Sequence, residues 1–143
     1  MANLPDHLQQ AEHNESFAAQ LYQDGHLQHW DWLITVCFYA AVHYAEALFF
    51  ACSAFVHTES VPDGKDRHAF REKGVLDILG RNCYKSYRRL RLSSHDVRYL
   101  GRSKQRPGQI AINYYSLDDA RKMYDSVLPS VREAVLAKLK QNP

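Results

Sequence analysis

Apolar positions recur at helical spacing through almost the whole chain. Leu8, Ala11, Ala18, Leu21 and Tyr22 outline a first helix, which Asp6, following Pro5, can cap and Gly25 ends. The longest apolar segment follows, WDWLITVCFYAAVHYAEALFFACSAFV over residues 30–56. It holds no Gly or Pro and is rich in Ala and Leu, which predicts one long helix. Residues 57–65 read as a loop. Asp66 then opens a shorter helix reaching about Leu79, where Gly80 stops it, and another runs from about Cys83 to Leu100. Residues 101–115 contain two Gly and one Pro and read as a loop. Ser116 and Asp119 have capping-box spacing. The stripe of Ala120, Tyr124, Val127, Leu128, Val131, Val135 and Leu139 marks a final helix, which Pro129 should kink or split. The expected fold is all-α, an antiparallel bundle of four to five helices formed by residues 1–143 as one domain.

The apolar helix is long enough to cross a bilayer, since Leu33 to Val56 spans 24 residues. His43 and Glu46 fall near its middle, however, and a central Glu costs roughly 2.5 kcal/mol or more on insertion. The core helix of a bundle explains the same residues without that cost, so no membrane partner is expected. His43 and Glu46 are three residues apart and share a helix face. They form a candidate polar pair at a cleft, or a buried hydrogen-bonded pair that fixes helix register. A metal reading is weak, because the Glu-x-x-His order of di-metal bundles is reversed and occurs once.

Composition narrows the class further. The chain has 143 residues, 45% hydrophobic and 24% charged, which excludes wholesale disorder. Six Gly and five Pro are too few for an all-β fold. Cys37, Cys52 and Cys83 form no CxxC pair, which argues against a disulfide framework and a Cys-built zinc site. The N-terminal MANLPDHLQQAEHNE has neither a basic nor an apolar leader region, and the expected location is cytoplasmic.

Charge is strongly segregated. Residues 1–64 contain eight acids and no Lys or Arg, whereas residues 65–106 contain thirteen Lys or Arg and four acids. Such asymmetry fits a polyanion-binding face, or equally an acidic half packed on a basic one. Within CYKSYRRLRLSSHDVRYLGR, residues Arg88, Arg91, His95, Arg98 and Arg102 are spaced 3, 4, 3 and 4 apart. On a helix they form one stripe, with Tyr87, Leu90, Ser94 and Val97 beside it. Four aligned guanidinium groups repel one another unless anions are close. Those anions can be carboxylates from the acidic first half or phosphates of a ligand, which Arg binds through its planar fork. Imidazole titrates near neutrality, so His95 could move a proton in phosphodiester cleavage while flanking Arg stabilise charge on phosphorus.

Three segments together resemble the HEPN superfamily of small helical domains: LQQAEHNESFAAQL leading into the aromatic-Ala-Ala-x-His-x-x-x-Ala-Leu run of Tyr39 to Leu48, the following loop and helix with His57 and His68, and YRRLRLSSHDVRYL with its Arg98–Tyr99 ending. The resemblance covers roughly residues 8–140. It implies a HEPN-like bundle, a homodimer, and a metal-independent endoribonuclease of a toxin–antitoxin or defence system. The implied partner is a nucleotidyltransferase-like antitoxin. The family signature is Arg, four to six residues, then His, and it implies catalytic roles for Arg88 and His95. Arg91, Arg98, Arg102 and Tyr99 would then contact RNA or nucleotide phosphates. Arg89 stands where the family usually has a small polar residue after the Arg. No cofactor is implied. Aromatic residues such as Trp30, Trp32, Phe49, Phe50, Phe55, Tyr114 and Tyr115 are candidates for the dimer interface. The alternative is a non-catalytic helical module that binds RNA, a nucleotide or a protein.

Polyanion binding and an internal charge clasp make opposite predictions. In the first, replacing Arg88, Arg91 or Arg98 flattens the salt dependence of binding by about one unit each, and Arg81 or Lys85 matters less. In the second, the same replacements leave binding unchanged and lower the melting temperature, by about 1 kcal/mol of stability for a partly exposed pair. Binding isotherms at two salt concentrations, run beside thermal melts, separate the two.

Overall fold

A computed structural model describes residues 2–23, 29–52, 61–62, 66–99, 108–110 and 115–141. They form an all-α bundle: α1 (Leu4–Gln23), α2 (Trp30–Ala51), α3 (Arg67–Leu79), α4 (Arg81–Arg98), α5 (Leu117–Lys122) and α6 (Leu128–Gln141), the last two joined by a π-helical turn, Met123–Val127. Gly25, Phe55, His57, Leu100, Arg102 and Tyr114, on which expectations were placed, lie outside the described residues, as does most of the 101–115 loop.

Helix α2 is the axis of the bundle. Fifteen of its 22 residues are buried, on all sides but the line of Trp32, Tyr39 and Phe50. Helices α1, α4 and α6 pack along it, and α3 and α5 touch it as well. This is the apolar helix whose length and composition would suit a membrane, and here the protein itself covers it. Ile34, Phe38, Leu48 and Phe49 from α2 meet Val75 of α3, Tyr87 and Leu90 of α4, and Met123, Leu128, Val131 and Val135 of the C-terminal rod. Burying each such large side chain stabilises the fold by about 1.5–3 kcal/mol before entropy is counted.

Several helix ends differ from expectation. Asp6 is not the cap of α1. Asn3 is, its Oδ1 accepting from the Asp6 N–H at 3.0 Å while the Asp6 carboxylate accepts from the Asn3 N–H at 2.9 Å. The α2 helix stops at Ala51, short of residue 56, with Cys52 in extended conformation. Asp66 caps α3 as expected, accepting from the His68 and Ala69 N–H groups at 2.9 and 3.1 Å. Helix α4 begins at Arg81, two residues before Cys83, because Gly80 serves both neighbours. Its N–H donates back to the Leu76 carbonyl, and its own carbonyl accepts from Tyr84. Gly80 has φ +87° and ψ −179°, a region open essentially to glycine alone. The corner is therefore one residue long, and it folds α3 directly onto α4.

The Ser116–Asp119 capping box forms. Pro129 disturbs the C-terminal helix without splitting it. The disturbance takes the form of the π turn, in which the Leu128 N–H reaches the Met123 carbonyl, and Pro129 becomes the second residue of α6. The helix runs on without a break through this wider turn, which accommodates the proline's missing N–H and its ring.

Polar side chains stitch the helices together. Glu15 of α1 accepts from the Tyr44 hydroxyl of α2 at 2.7 Å and from Arg132 of α6. Tyr22 donates to Asp125 at 3.0 Å. Between α1 and α2, His7 Nδ1 lies 3.2 Å from His43 Nδ1, which requires one ring to donate and the other to accept. Burial, with repulsion from His7 added, pushes the His43 imidazole below its usual range.

A pH dependence of stability follows. Because His43 is harder to protonate folded than unfolded, the unfolded chain takes up more protons below its ordinary pKa of 6.5. Stability is full above that pH and is lost as pH falls through the depressed folded value. Denaturant titrations of wild type and His43→Asn from pH 7.5 to 5 should show a steeper acid loss in the wild type.

Candidate functional site

Helices α3 and α4, folded together at Gly80, carry most of the basic segment. The stripe expected on α4 exists, but the arginines on it are not equivalent. Carboxylates on α3 or at its cap take two of them. Glu72, buried, has Arg88 Nη1 3.1 Å from its Oε2. Arg91 Nη1 lies 2.8 Å from Glu72 Oε1, a close ionic contact outside hydrogen-bond alignment. Arg91 Nη2 is also 3.6 Å from Asp66 Oδ2. The Ala69 N–H, helped by the Arg91 guanidinium and the His68 N–H, holds the Asp66 carboxyl below the usual carboxylate range. Arg98 is engaged differently. Its Nε donates to the Ser94 carbonyl and its Nη1 to the Tyr39 hydroxyl at 3.0 Å. Its guanidinium lies 5.5 Å from the Tyr39 ring centre and 5.2 Å from that of Tyr99.

The acidic partners come from an unexpected place. Asp66 and Glu72 belong to the basic segment itself, not to the acidic first half. A long-range acid–base contact does exist one layer deeper, where Arg71 Nε donates to Glu46 Oε1 at 2.6 Å. This separates the two residues that share a face on α2. Glu46 reaches α3, whereas His43 reaches His7 on α1. They are not hydrogen-bonded to each other, because the 3-residue spacing leaves each aimed at a different neighbouring helix.

A cleft of about 250 Å³ opens between the start of α3 and the C-terminal half of α4, lined by Asp66, His68, Arg91, Leu92, His95 and Asp96. The His95 side chain is 37% exposed and its Nδ1 is 3.9 Å from Asp96 Oδ1. The Tyr99 ring packs against it at a tilt of 44°, with ring centres 4.9 Å apart. His68, which sequence reading noted without assigning a role, faces the same cleft. It packs against Phe38, and Arg71 Nη1 lies 3.4 Å from its Nδ1. Burial, and then the nearby Arg71 and Arg91, push the His68 imidazole below its usual range, so the ring is neutral at neutral pH.

Arg88 and His95 therefore do not share a cleft. Arg88 lines a neighbouring one, of about 330 Å³, together with Lys85, Arg89, Ser93 and Tyr115. Leu92 borders both clefts. The guanidinium beside His95 is that of Arg91. The expected partner of His95 was Arg88, with Arg91 among the phosphate contacts. Glu72 reaches both arginines from α3, a contact invisible in a single-helix pattern, and only Arg91 lines the cleft with His95. Among the described residues no group of three or more His, Cys, Asp or Glu is gathered for a metal ion.

Glu72 is the keystone of this arrangement. Replacing it with Gln removes the carboxylate that Arg88 and Arg91 share and leaves Arg91, largely buried, only its longer contact to Asp66. The expected cost is about 3 kcal/mol, the range for breaking a buried pair on one side. Chemical denaturation of Glu72→Gln beside Lys73→Gln, whose ion pair with Asp77 is exposed, measures it, and the second variant should lie within about 0.5 kcal/mol of wild type.

Compared with family models, curated proteins and solved structures, this chain matches none.

Proposed function

We propose that the protein is a metal-independent endoribonuclease whose active site is the cleft holding His68, Arg91 and His95. One observation carries this reading: two imidazoles and a guanidinium line a single cleft at the two-helix corner. Those groups suit phosphodiester cleavage in RNA. His95, whose side chain is 37% exposed, takes the proton of a ribose 2′-hydroxyl. The 2′-oxygen attacks the adjacent phosphorus and the bond from phosphorus to the 5′-oxygen breaks. His95 returns its proton to that departing oxygen, leaving a 2′,3′-cyclic phosphate and a 5′-hydroxyl. Arg91, held by Glu72 and Asp66, stabilises the charge that grows on the non-bridging oxygens. His68 is neutral, and with Arg71 donating toward Nδ1 its proton sits on Nε2, where it can hydrogen-bond a phosphate oxygen.

The HEPN resemblance supports the same chemistry and extends it to a toxin or defence role beside a nucleotidyltransferase-like antitoxin. It also supports a homodimer. Trp32, Tyr39 and Phe50 recur along one line of α2 and are 58%, 39% and 43% exposed, which suits association with a second copy. Of the other aromatic candidates, Phe49 is buried and Trp30 and Tyr115 pack partly into the core.

A second reading rests on the ion pairs of Arg88 and Arg91. Guanidinium groups already matched by carboxylates suit a binding module in which no bond breaks. Incubating purified protein with a structured RNA in EDTA tests both. Wild type should cleave and leave cyclic-phosphate ends. His95→Ala should lose activity by about 10²–10⁴-fold while binding RNA within a few-fold of wild type. Binding without cleavage by the wild type would replace the nuclease with the binding module.

A further inference from the structure

The cations best able to meet a ligand lie off the arginine stripe. Lys85 and Arg89 are exposed, four residues apart on α4, and among the described residues neither has an ion-pair partner. Both line the cleft of about 330 Å³ between α4 and the start of α5. Arg88, 46% exposed and bound to Glu72 through one nitrogen, lines it too. Three cations at spacings of three and four on one helix repel one another, and Glu72 relieves only Arg88. Asp119 is the acid at this cleft, and its Oδ2 is occupied in the capping box, accepting from the Ser116 N–H at 2.7 Å and from the Ser116 hydroxyl.

The cleft also offers a flat surface. The Tyr115 ring lines it, and its hydroxyl is fixed by Ser93 Oγ at 3.1 Å and Asp96 Oδ2 at 3.0 Å. An aromatic ring beside unpaired cations is the combination that holds a single strand, base on ring and phosphate on cation. Asp96 faces the histidine cleft as well, and Leu92 is common to both walls. The two clefts are therefore neighbours along α4.

We infer that the Lys85–Arg89–Tyr115 cleft is a phosphate-binding subsite that holds the strand next to the residue presented to His95. This rests on the RNA reading, though not on cleavage. A strand is favoured over a free nucleotide because the adjoining clefts suit successive phosphates of one backbone.

The test uses a 2′-O-methyl RNA octamer, which cannot be cleaved through its 2′-oxygens, and 5′-AMP as the single-nucleotide probe. Wild type should bind the octamer much more tightly than AMP, with affinity falling as salt rises. The Lys85→Ala, Arg89→Ala double variant should bind the octamer about ten-fold more weakly, with a salt slope lower by about two, and melt like wild type. Lys140→Ala, an exposed cation on α6, should bind like wild type. Octamer affinity within two-fold of wild type in the double variant, equal weakening by Lys140→Ala, or no octamer binding by the wild type would each overturn the subsite. AMP binding as tightly as the octamer would make the cleft a mononucleotide site and overturn the strand assignment. Retained, Lys85- and Arg89-dependent octamer binding in a protein that cleaves no RNA would sink the nuclease and leave the subsite standing.

Discussion

Two buried carboxylates, Glu46 and Glu72, hold the α2, α3 and α4 part of this bundle in shape. Each stands at a boundary between helices and takes a guanidinium from the next one: Glu46 from α2 receives Arg71 of α3, and Glu72 from α3 receives Arg88 and Arg91 of α4. A buried carboxylate without a cation is costly, and so is a largely buried guanidinium without an anion. The three helices therefore have few alternative registers. With Gly80 closing the corner between α3 and α4, the position of His95 relative to His68 follows from these pairings rather than from any direct contact between the two rings.

Matching of charge also decides what is left over. Helix α4 has six Lys or Arg and one acid, more cations than the carboxylates around it serve, so the surplus appears where no carboxylate reaches. That place is the outer face of α4 around Lys85 and Arg89, not the stripe with the regular spacing. A stripe of arginines reads as a ligand site when α4 is considered alone. Once α3 is laid against it, much of the stripe becomes structural cement.

This is why parts of the molecule were legible in the sequence and parts were not. The all-α class, the core role of residues 30–51, the Asp66 cap and the Ser116 box depend on local periodicity and on side chains bonding within three residues. The disturbance at Pro129 was legible too, since proline's missing N–H is a local fact, but its expression as a π turn depends on packing. The cap of α1 was misassigned because Asn3 and Asp6 bond reciprocally, and either can be taken for the cap from spacing alone. His43 and Glu46 looked like a pair because helical geometry makes them neighbours, yet their partners are on different helices. In the candidate site, His95 and Arg91 were visible as members of the stripe. His68 was not, because its relevance comes only from the fold-back at Gly80.

The polar cross-links also differ greatly in how much chain they enclose. Glu72 and Arg88 are 16 residues apart, whereas Glu15 and Arg132 are 117 apart and Tyr22 and Asp125 are 103 apart. Closing a short loop costs less entropy than closing a long one, so local contacts form first when a chain folds. The α3–α4 corner is thus the natural early structure, and the docking of α1 against α6 the late one. On that ordering the walls of the histidine cleft assemble before the bundle closes around α2, and fraying of α1 from α6 would loosen the far side of the protein while leaving the cleft intact.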